Sequence, residues 1–162
     1  LETALMIKAA ALGAEPVKID LNDYDMPLFH GDLKPAGTVQ ALIDRLNEFE
    51  AVVIVTPEYN GSLPPLLKNT LDWTSTVETS HITGPVYGIA ACTPGPMSGI
   101  MCLRQLHYIL TRLGAEVVPT QVGCGNASKA FDGEGRIAVE PTNGLSDKML
   151  AQLIERAQQK RG

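Results

Sequence analysis

Short apolar runs alternate along the chain with longer segments whose apolar residues recur at helical spacing. The apolar runs predict strands at residues 17–21, 51–56, 86–91 and 116–122. Helical spacing and composition predict helices at residues 1–12, 38–49, 66–73, 100–113 and 146–160, the last with Ser146 as N-cap. Helices that alternate with short apolar strands indicate a parallel sheet covered on both faces.

Two loops follow predicted strands at their carboxyl ends, where open α/β sheets bind ligands. The first, residues 57–62, is polar, and the second, residues 93–99, is rich in Gly and Pro. Asn60-Gly61 permits positive φ, which frees main-chain N–H and C=O groups to face a planar, hydrogen-bonding ligand. An ordinary strand–turn–helix connection is equally compatible with these residues, so the pattern alone leaves both interpretations open.

Composition bounds the class of protein. A chain of 162 residues fits one domain, residues 1–162, and 44% hydrophobic with 19% charged residues is typical of a soluble globular protein. A formal net charge of -5 argues against a nucleic-acid binder. No apolar run reaches the length of a membrane span, and no signal peptide is visible. We therefore expect a cytoplasmic protein that binds neither nucleic acid nor membrane.

Few side chains offer chemistry of their own. The spacing of Cys92, Cys102 and Cys124 matches no metal site or redox pair, so we expect free thiols and no bound metal. No carboxylate pair or Ser–His–Asp set indicates hydrolytic catalysis. His107 lies in a helical pattern and is interpreted as structural. His81 lies in residues 74–84, which lack periodicity and form either a mobile loop beside the site or a plain surface connection.

The stretch around the first loop resembles the signature of the NADPH-dependent FMN reductase family of flavodoxin-like flavoproteins, which includes quinone, azo-dye and chromate reductases. The matching residues are Thr56-Pro57-Glu58-Tyr59-Asn60-Gly61-Ser62, then Pro64 or Pro65, Leu67-Lys68-Asn69 and Leu71-Asp72-Trp73. The resemblance implies a flavodoxin-like three-layer α/β sandwich, with a parallel five-stranded sheet in the order 2-1-3-4-5.

The resemblance also implies where the cofactor lies. FMN would contact both loops, at Pro57, Glu58, Tyr59, Asn60, Gly61, Ser62, Thr93, Pro94, Gly95, Pro96, Met97, Ser98 and Gly99. The family often has paired glycines where Met97-Ser98 stand here. No catalytic protein residue is expected, because the cofactor carries the chemistry. Glu58 is interpreted as a structural carboxylate, with a base on a neighbouring subunit as its candidate partner. Tyr59 would stack near the flavin, line a subunit contact, or pack as a turn aromatic.

The implied function is that of an FMN-dependent oxidoreductase. It would use NADPH or NADH to reduce quinones, free flavin or similar acceptors by ping-pong hydride transfer. The alternatives are a flavodoxin-type electron carrier and a flavin-free adaptor with the same fold. Glu58 is the only acidic residue of the two loops, which favours the reductase over a carrier with acidic flavin surroundings. The resemblance further implies a homodimer or homotetramer, with Trp73, Leu66, Leu67 and the loop near Tyr59 as candidate interface residues.

One strand of the expected sheet has no counterpart in the sequence. In the order 2-1-3-4-5, the first strand would lie between residues 17–21 and 52–55. We therefore expect the natural chain to have about 15–25 more N-terminal residues. The family's phosphate-binding loop would follow that strand, so no phosphate-binding residue is named here. Direct pairing of residues 17–21 with residues 52–55 would contradict this expectation.

Overall fold

The computed structural model describes residues 1–161 and contains a parallel sheet. Its strands in the described residues are β1 (Ala51–Thr56), β2 (Val86–Cys92), β3 (Glu116–Val117) and β4 (Val122–Cys124). β2 pairs in parallel with β1, β3 and β4. The predicted strand at residues 116–122 is interrupted around Pro119, which has no N–H to donate to a ladder.

The helices flank this sheet on both faces. They are α1 (Glu2–Ala11), α2 (Gly37–Asn47), α3 (Pro65–Val77), α4 (Ser80–Thr83), α5 (Ile100–Arg112) and α6 (Thr142–Arg161). The prediction of Ser146 as an N-cap is wrong, because α6 begins at Thr142 and the Ser146 hydroxyl donates to the Thr142 carbonyl at 2.7 Å inside the helix. Residues 74–84, expected to be irregular, largely continue α3 and form α4.

Alternate residues of β2 face two separate apolar layers. Tyr87, Ile89 and Ala91 pack with buried side chains of α3, α4 and α5. Val86 and Ala90 face the opposite layer, which α1 and α6 supply. β2 is buried along nearly its whole length because both of its faces are covered. The predicted three-layer α/β arrangement is therefore present in the described residues.

Residues 17–21 do not form a strand, so that prediction is wrong. The chain has no regular structure at residues 14–20 and then forms a short 3-10 turn, Leu21–Asp23. Alternating polarity is not sufficient for a strand, because a strand also needs a ladder partner. Among the described residues β1 pairs only with β2. Pairing of residues 17–21 with residues 52–55, which would have contradicted the expected intervening strand, is therefore not found among the described residues.

A cavity of about 730 Å³ lies beside the edge of β1 that faces away from β2. Its walls include Leu5 of α1, Val17, Val53 of β1 and Leu153 of α6. The fifth strand and its order stay predictions.

No helix within residues 1–161 combines the length and apolar character needed to span a bilayer. The cytoplasmic location inferred from the sequence stays a prediction.

Candidate functional site

The two predicted loops lie side by side at the carboxyl end of the sheet. Residues 57–62 follow β1 and residues 93–99 follow β2, and these strands are in register from Ala51 opposite Val86 to Thr56 opposite Ala91. α3 begins shortly after the first loop, and α5 begins directly after the second. The structure therefore brings together the two segments that the sequence analysis assigned to one site.

The first loop is a compact hairpin. Tyr59 and Ser62 exchange two main-chain hydrogen bonds, each of 3.0 Å. Between them, Asn60 has φ 51° and Gly61 has φ 75°, the positive values of a type I′ turn, for which Asn-Gly is the preferred pair. Among the described residues, no hydrogen bond engages the N–H of Asn60 or Gly61. The turn thus presents two main-chain donors, as the Asn-Gly pair predicted, whereas the Gly61 C=O, also expected to be free, accepts a hydrogen bond from Gln105.

Glu58 does not project freely beside the hairpin. Its Oε2 accepts hydrogen bonds from the main-chain N–H groups of Met101 and Cys102, each at 3.0 Å. These groups lie in the first turn of α5, where helix N–H groups lack intrahelical partners and the helix dipole favours a negative charge. The structural interpretation of Glu58 agrees with these contacts. Among the described residues its partner is the main chain of α5, and pairing with a base on a neighbouring subunit stays a prediction.

Gln105, one turn further along α5, holds the other end of the hairpin. Its Nε2 donates to the Gly61 carbonyl at 3.1 Å, and its Oε1 accepts from the Ser62 hydroxyl at 2.8 Å. Sequence reasoning missed Gln105, because nothing distinguishes it from any polar residue on an amphipathic helix. The contact joins residues more than 40 positions apart.

The second loop rests on a third segment, residues 123–127, that sequence reasoning also missed. Thr93 N–H donates to the Cys124 carbonyl at 2.9 Å, and Asn126 N–H donates to the Gly95 carbonyl at 3.0 Å. A Cβ at residue 123 or 125 would come within 3 Å of Ser98 atoms, so the backbones approach closely. Thr93 and Gly99 are buried, whereas Pro94 to Met97 are exposed. The glycines of residues 123–125 were the available sequence signal.

Apolar side chains are exposed around both loops. Tyr59 is 55% exposed, Met97 66% and Met101 46%. A Cβ on Gly61 or Gly95 would meet no atom within 4 Å, so the space beside both loops is open. This surface therefore combines main-chain donors, apolar side chains and room for a ligand.

Two of the proposed interface residues are buried in the protomer. Trp73 is 1% exposed and Leu67 is 7% exposed, so the prediction that they build a subunit interface is wrong. Trp73 instead donates its indole N–H to the Pro27 carbonyl at 2.6 Å and packs edge-on against Phe29, with ring centroids 5.0 Å apart. Asn69 Oδ1 accepts the Phe29 N–H at 2.7 Å. These motif residues anchor the segment before α2 to α3.

His81 lies away from the two loops. It is 2% exposed, and its carbonyl accepts the hydroxyl of Tyr87, the second residue of β2. Neither ring nitrogen has a hydrogen-bond partner in the described residues, and burial lowers the pKa of the imidazole. In this position His81 cannot meet a substrate bound at the carboxyl end of the sheet.

Comparison with known proteins finds relatives whose names agree with the matching family. A model of the family described as NADPH-dependent FMN reductase matches residues 2–129. The quinone reductase of Escherichia coli K12 is 38% identical over 98 residues, covering 58% of this chain and 52% of that protein. The NADPH azoreductase of Bacillus sp. strain OY1-2 is 31% identical over 122 residues, covering 74% of this chain and 67% of that protein. The chain spans about half the length of the quinone reductase it matches.

A solved structure shares the fold. FerB, a flavoenzyme NAD(P)H:(acceptor) oxidoreductase from Paracoccus denitrificans, superposes with a TM-score of 0.77 at 22% identity, covering 98% of this chain and 90% of that chain. The flavodoxin-like fold class predicted from the sequence is thereby confirmed. Since the family match extends over well more than half of the sequence, the chain belongs to the NADPH-dependent FMN reductase family.

Proposed function

We propose that this protein is an FMN-dependent oxidoreductase that uses NADPH or NADH to reduce quinones, free flavin or similar small acceptors. The observation that carries the proposal is the Asn60-Gly61 turn, which presents two main-chain N–H groups beside a second loop at the carboxyl end of a parallel sheet. In flavodoxin-like sheets this end is the FMN position. Family membership and relatives named quinone reductase and NADPH azoreductase support the same activity.

The residues present fit a flavin. The polar edge of the flavin ring offers carbonyl and nitrogen acceptors, which match the free N–H groups of Asn60 and Gly61. The open space beside the Gly61 and Gly95 backbones admits a flat ring, and the exposed side chains of Tyr59 and Met97 supply apolar contacts for its faces. We assign FMN to the open space beside residues 57–62 and 93–99.

When bound, FMN supplies the two-electron chemistry, so the protein has to bind, orient and stabilise charge. The N–H groups of Asn60 and Gly61 orient the ring edge and stabilise negative charge that develops there. The carboxylate of Glu58 faces the first turn of α5 and is compensated by it, so it repels such a charge less than a free carboxylate would. This arrangement favours a reductase over a carrier that keeps acidic groups around its flavin.

The test is reconstitution followed by rapid kinetics. The purified protein is incubated with FMN, desalted, examined by visible spectroscopy and mixed with NADPH or NADH in a stopped-flow instrument, before 1,4-benzoquinone is added. A reductase retains the yellow cofactor, bleaches with the nicotinamide and regains colour with the quinone. Retained FMN that the nicotinamides do not bleach would support the carrier instead. Failure to retain FMN would overturn both.

We also propose that the protein forms a homodimer or homotetramer. Leu66 is 39% exposed and Tyr59 55% exposed at the start of α3 and on the hairpin, so they remain available as contact residues after the exclusion of Trp73 and Leu67. Light scattering on the size-exclusion peak measures the mass directly. A monomer at micromolar concentration, with Leu66→Asp giving the same elution, would contradict an interface at this position.

A further inference from the structure

α5 holds the Pro57–Ser62 hairpin at two points, which we call the α5 clamp. At one end Glu58 Oε2 accepts the N–H groups of Met101 and Cys102, and at the other the Gln105 amide bonds to Gly61 and Ser62. The Met101 and Gln105 positions are about one helical turn apart, so a single rigid segment carries both attachments. The clamp therefore fixes the hairpin relative to the second loop, which runs directly into α5.

The Gln105 contacts define the orientation of one peptide group in particular. The peptide group between Gly61 and Ser62 donates its N–H to the Tyr59 carbonyl and receives the Gln105 amide on its C=O. With both ends of this group bonded, the neighbouring N–H groups of Asn60 and Gly61 make no hydrogen bond to described residues. An isolated two-residue hairpin is marginally stable in water, so its geometry depends on such external support.

We propose that Gln105 is a positioning residue that sets the orientation of the Asn60 and Gly61 N–H groups, with Glu58 as the second anchor of the same clamp. The part of this inference that concerns flavin rests on the proposed function. Gln105 is half-buried beside the hairpin and acts through the main chain of Gly61. Its amide suits this role because it donates to a carbonyl and accepts from a hydroxyl at the same time.

Four variants separate the contacts. Gln105→Met keeps the length of the side chain and removes both bonds, whereas Gln105→Glu keeps the acceptor for Ser62 and places an acceptor against the Gly61 carbonyl. Ser62→Ala removes only the hydroxyl bond. Gln40→Met is the matched control, because Gln40 is an exposed glutamine of α2 that bonds only to Asp44 in the described residues.

The first readout uses the protein without flavin. Amide hydrogen exchange of Tyr59 and Ser62 reports opening of the hairpin, since their N–H groups form its two cross-bonds. We expect exchange about 25-fold faster in Gln105→Met, because it removes two hydrogen bonds and each net bond changes an equilibrium by about fivefold. Gln105→Glu should be affected at least as strongly, Ser62→Ala less, and Gln40→Met not at all. Unchanged exchange in Gln105→Met and Gln105→Glu would overturn the clamp.

The second readout uses the protein with FMN. Gln105→Met should bind FMN about tenfold more weakly and show a more negative FMN midpoint potential, because misplaced N–H groups stabilise the reduced ring less. A purely structural role would lower stability while leaving the potential of the bound FMN unchanged, and that result would overturn the positioning role. Faster exchange in a protein that never retains FMN would support the clamp and overturn the proposed function. If Gln105→Met does not fold, Gln105→Glu and Ser62→Ala decide the question.

Discussion

The Gly99→Ala substitution tests how tightly the second loop is fixed to the sheet. Gly99 has φ 73°, in the left-handed region, and a Cβ added there would lie 2.5 Å from the Cβ of Ala91. Ala91 is fully buried on β2, so it has little room to move. Gly95, in the same loop, has no such φ and would place a Cβ in open space, which makes Gly95→Ala a matched control.

Two costs combine in Gly99→Ala. Left-handed backbone costs an L-residue with a Cβ about 1–2 kcal/mol, and overpacking a fixed site costs about 1–3 kcal/mol. Reduced freedom of the unfolded chain returns about 0.4–1 kcal/mol. We therefore expect Gly99→Ala to lower the free energy of unfolding by roughly 2–4 kcal/mol. Gly95→Ala should be neutral or slightly stabilising, because only the unfolded-chain effect applies.

Urea unfolding followed by Trp73 fluorescence measures the difference, since Trp73 is 1% exposed in the folded protein and becomes exposed on unfolding. The two variants and the unsubstituted protein are compared at one temperature, with equal slopes of free energy against urea as a check on two-state behaviour. If Gly99→Ala were as stable as Gly95→Ala, the close contact between the second loop and β2 would be wrong.

Three further predictions concern residues outside the loops. Burial lowers the pKa of the His81 imidazole, so as the pH falls the unfolded chain takes up this proton before the folded protein does. The free energy of unfolding should therefore decrease below about pH 6.5, by up to about 1.4 kcal/mol per pH unit. A His81→Phe variant should lose this pH dependence in urea titrations. Trp73→Phe should lower the free energy of unfolding by about 1–3 kcal/mol, because it removes the indole hydrogen bond to the Pro27 carbonyl and leaves a smaller ring in a buried site. A change below about 0.5 kcal/mol would contradict this. Diamide should oxidise Cys92 and Cys124, which are register partners on β2 and β4, to a disulfide, and the mass spectrum should show the loss of two hydrogens. Burial raises the pKa of Cys124 to about 11, so the reaction should accelerate as the pH rises. Thiols that can still be alkylated after treatment would refute this prediction.

Several features were predictable from the sequence because their causes are local. The β-branched run of β1 and the helical spacing of α5 each act within a few residues, and both elements were confirmed. The Asn60-Gly61 pair predicted positive φ, since these residues tolerate that backbone, and the structure has it at both positions. The family signature located the same stretch, and the comparisons confirmed the family.

Tertiary structure decided what depends on contacts between distant segments. Residues 17–21 have a strand-like pattern but no ladder partner, so pattern alone gave the wrong element there. Cys92 and Cys124, unrelated by spacing, become neighbours only because β2 and β4 pair in register. The α5 clamp joins Gln105 to a hairpin more than 40 residues earlier in the chain. Local sequence fixes the dihedral preferences of each segment, whereas partners across the fold are set by packing of the whole sheet, which no single stretch encodes.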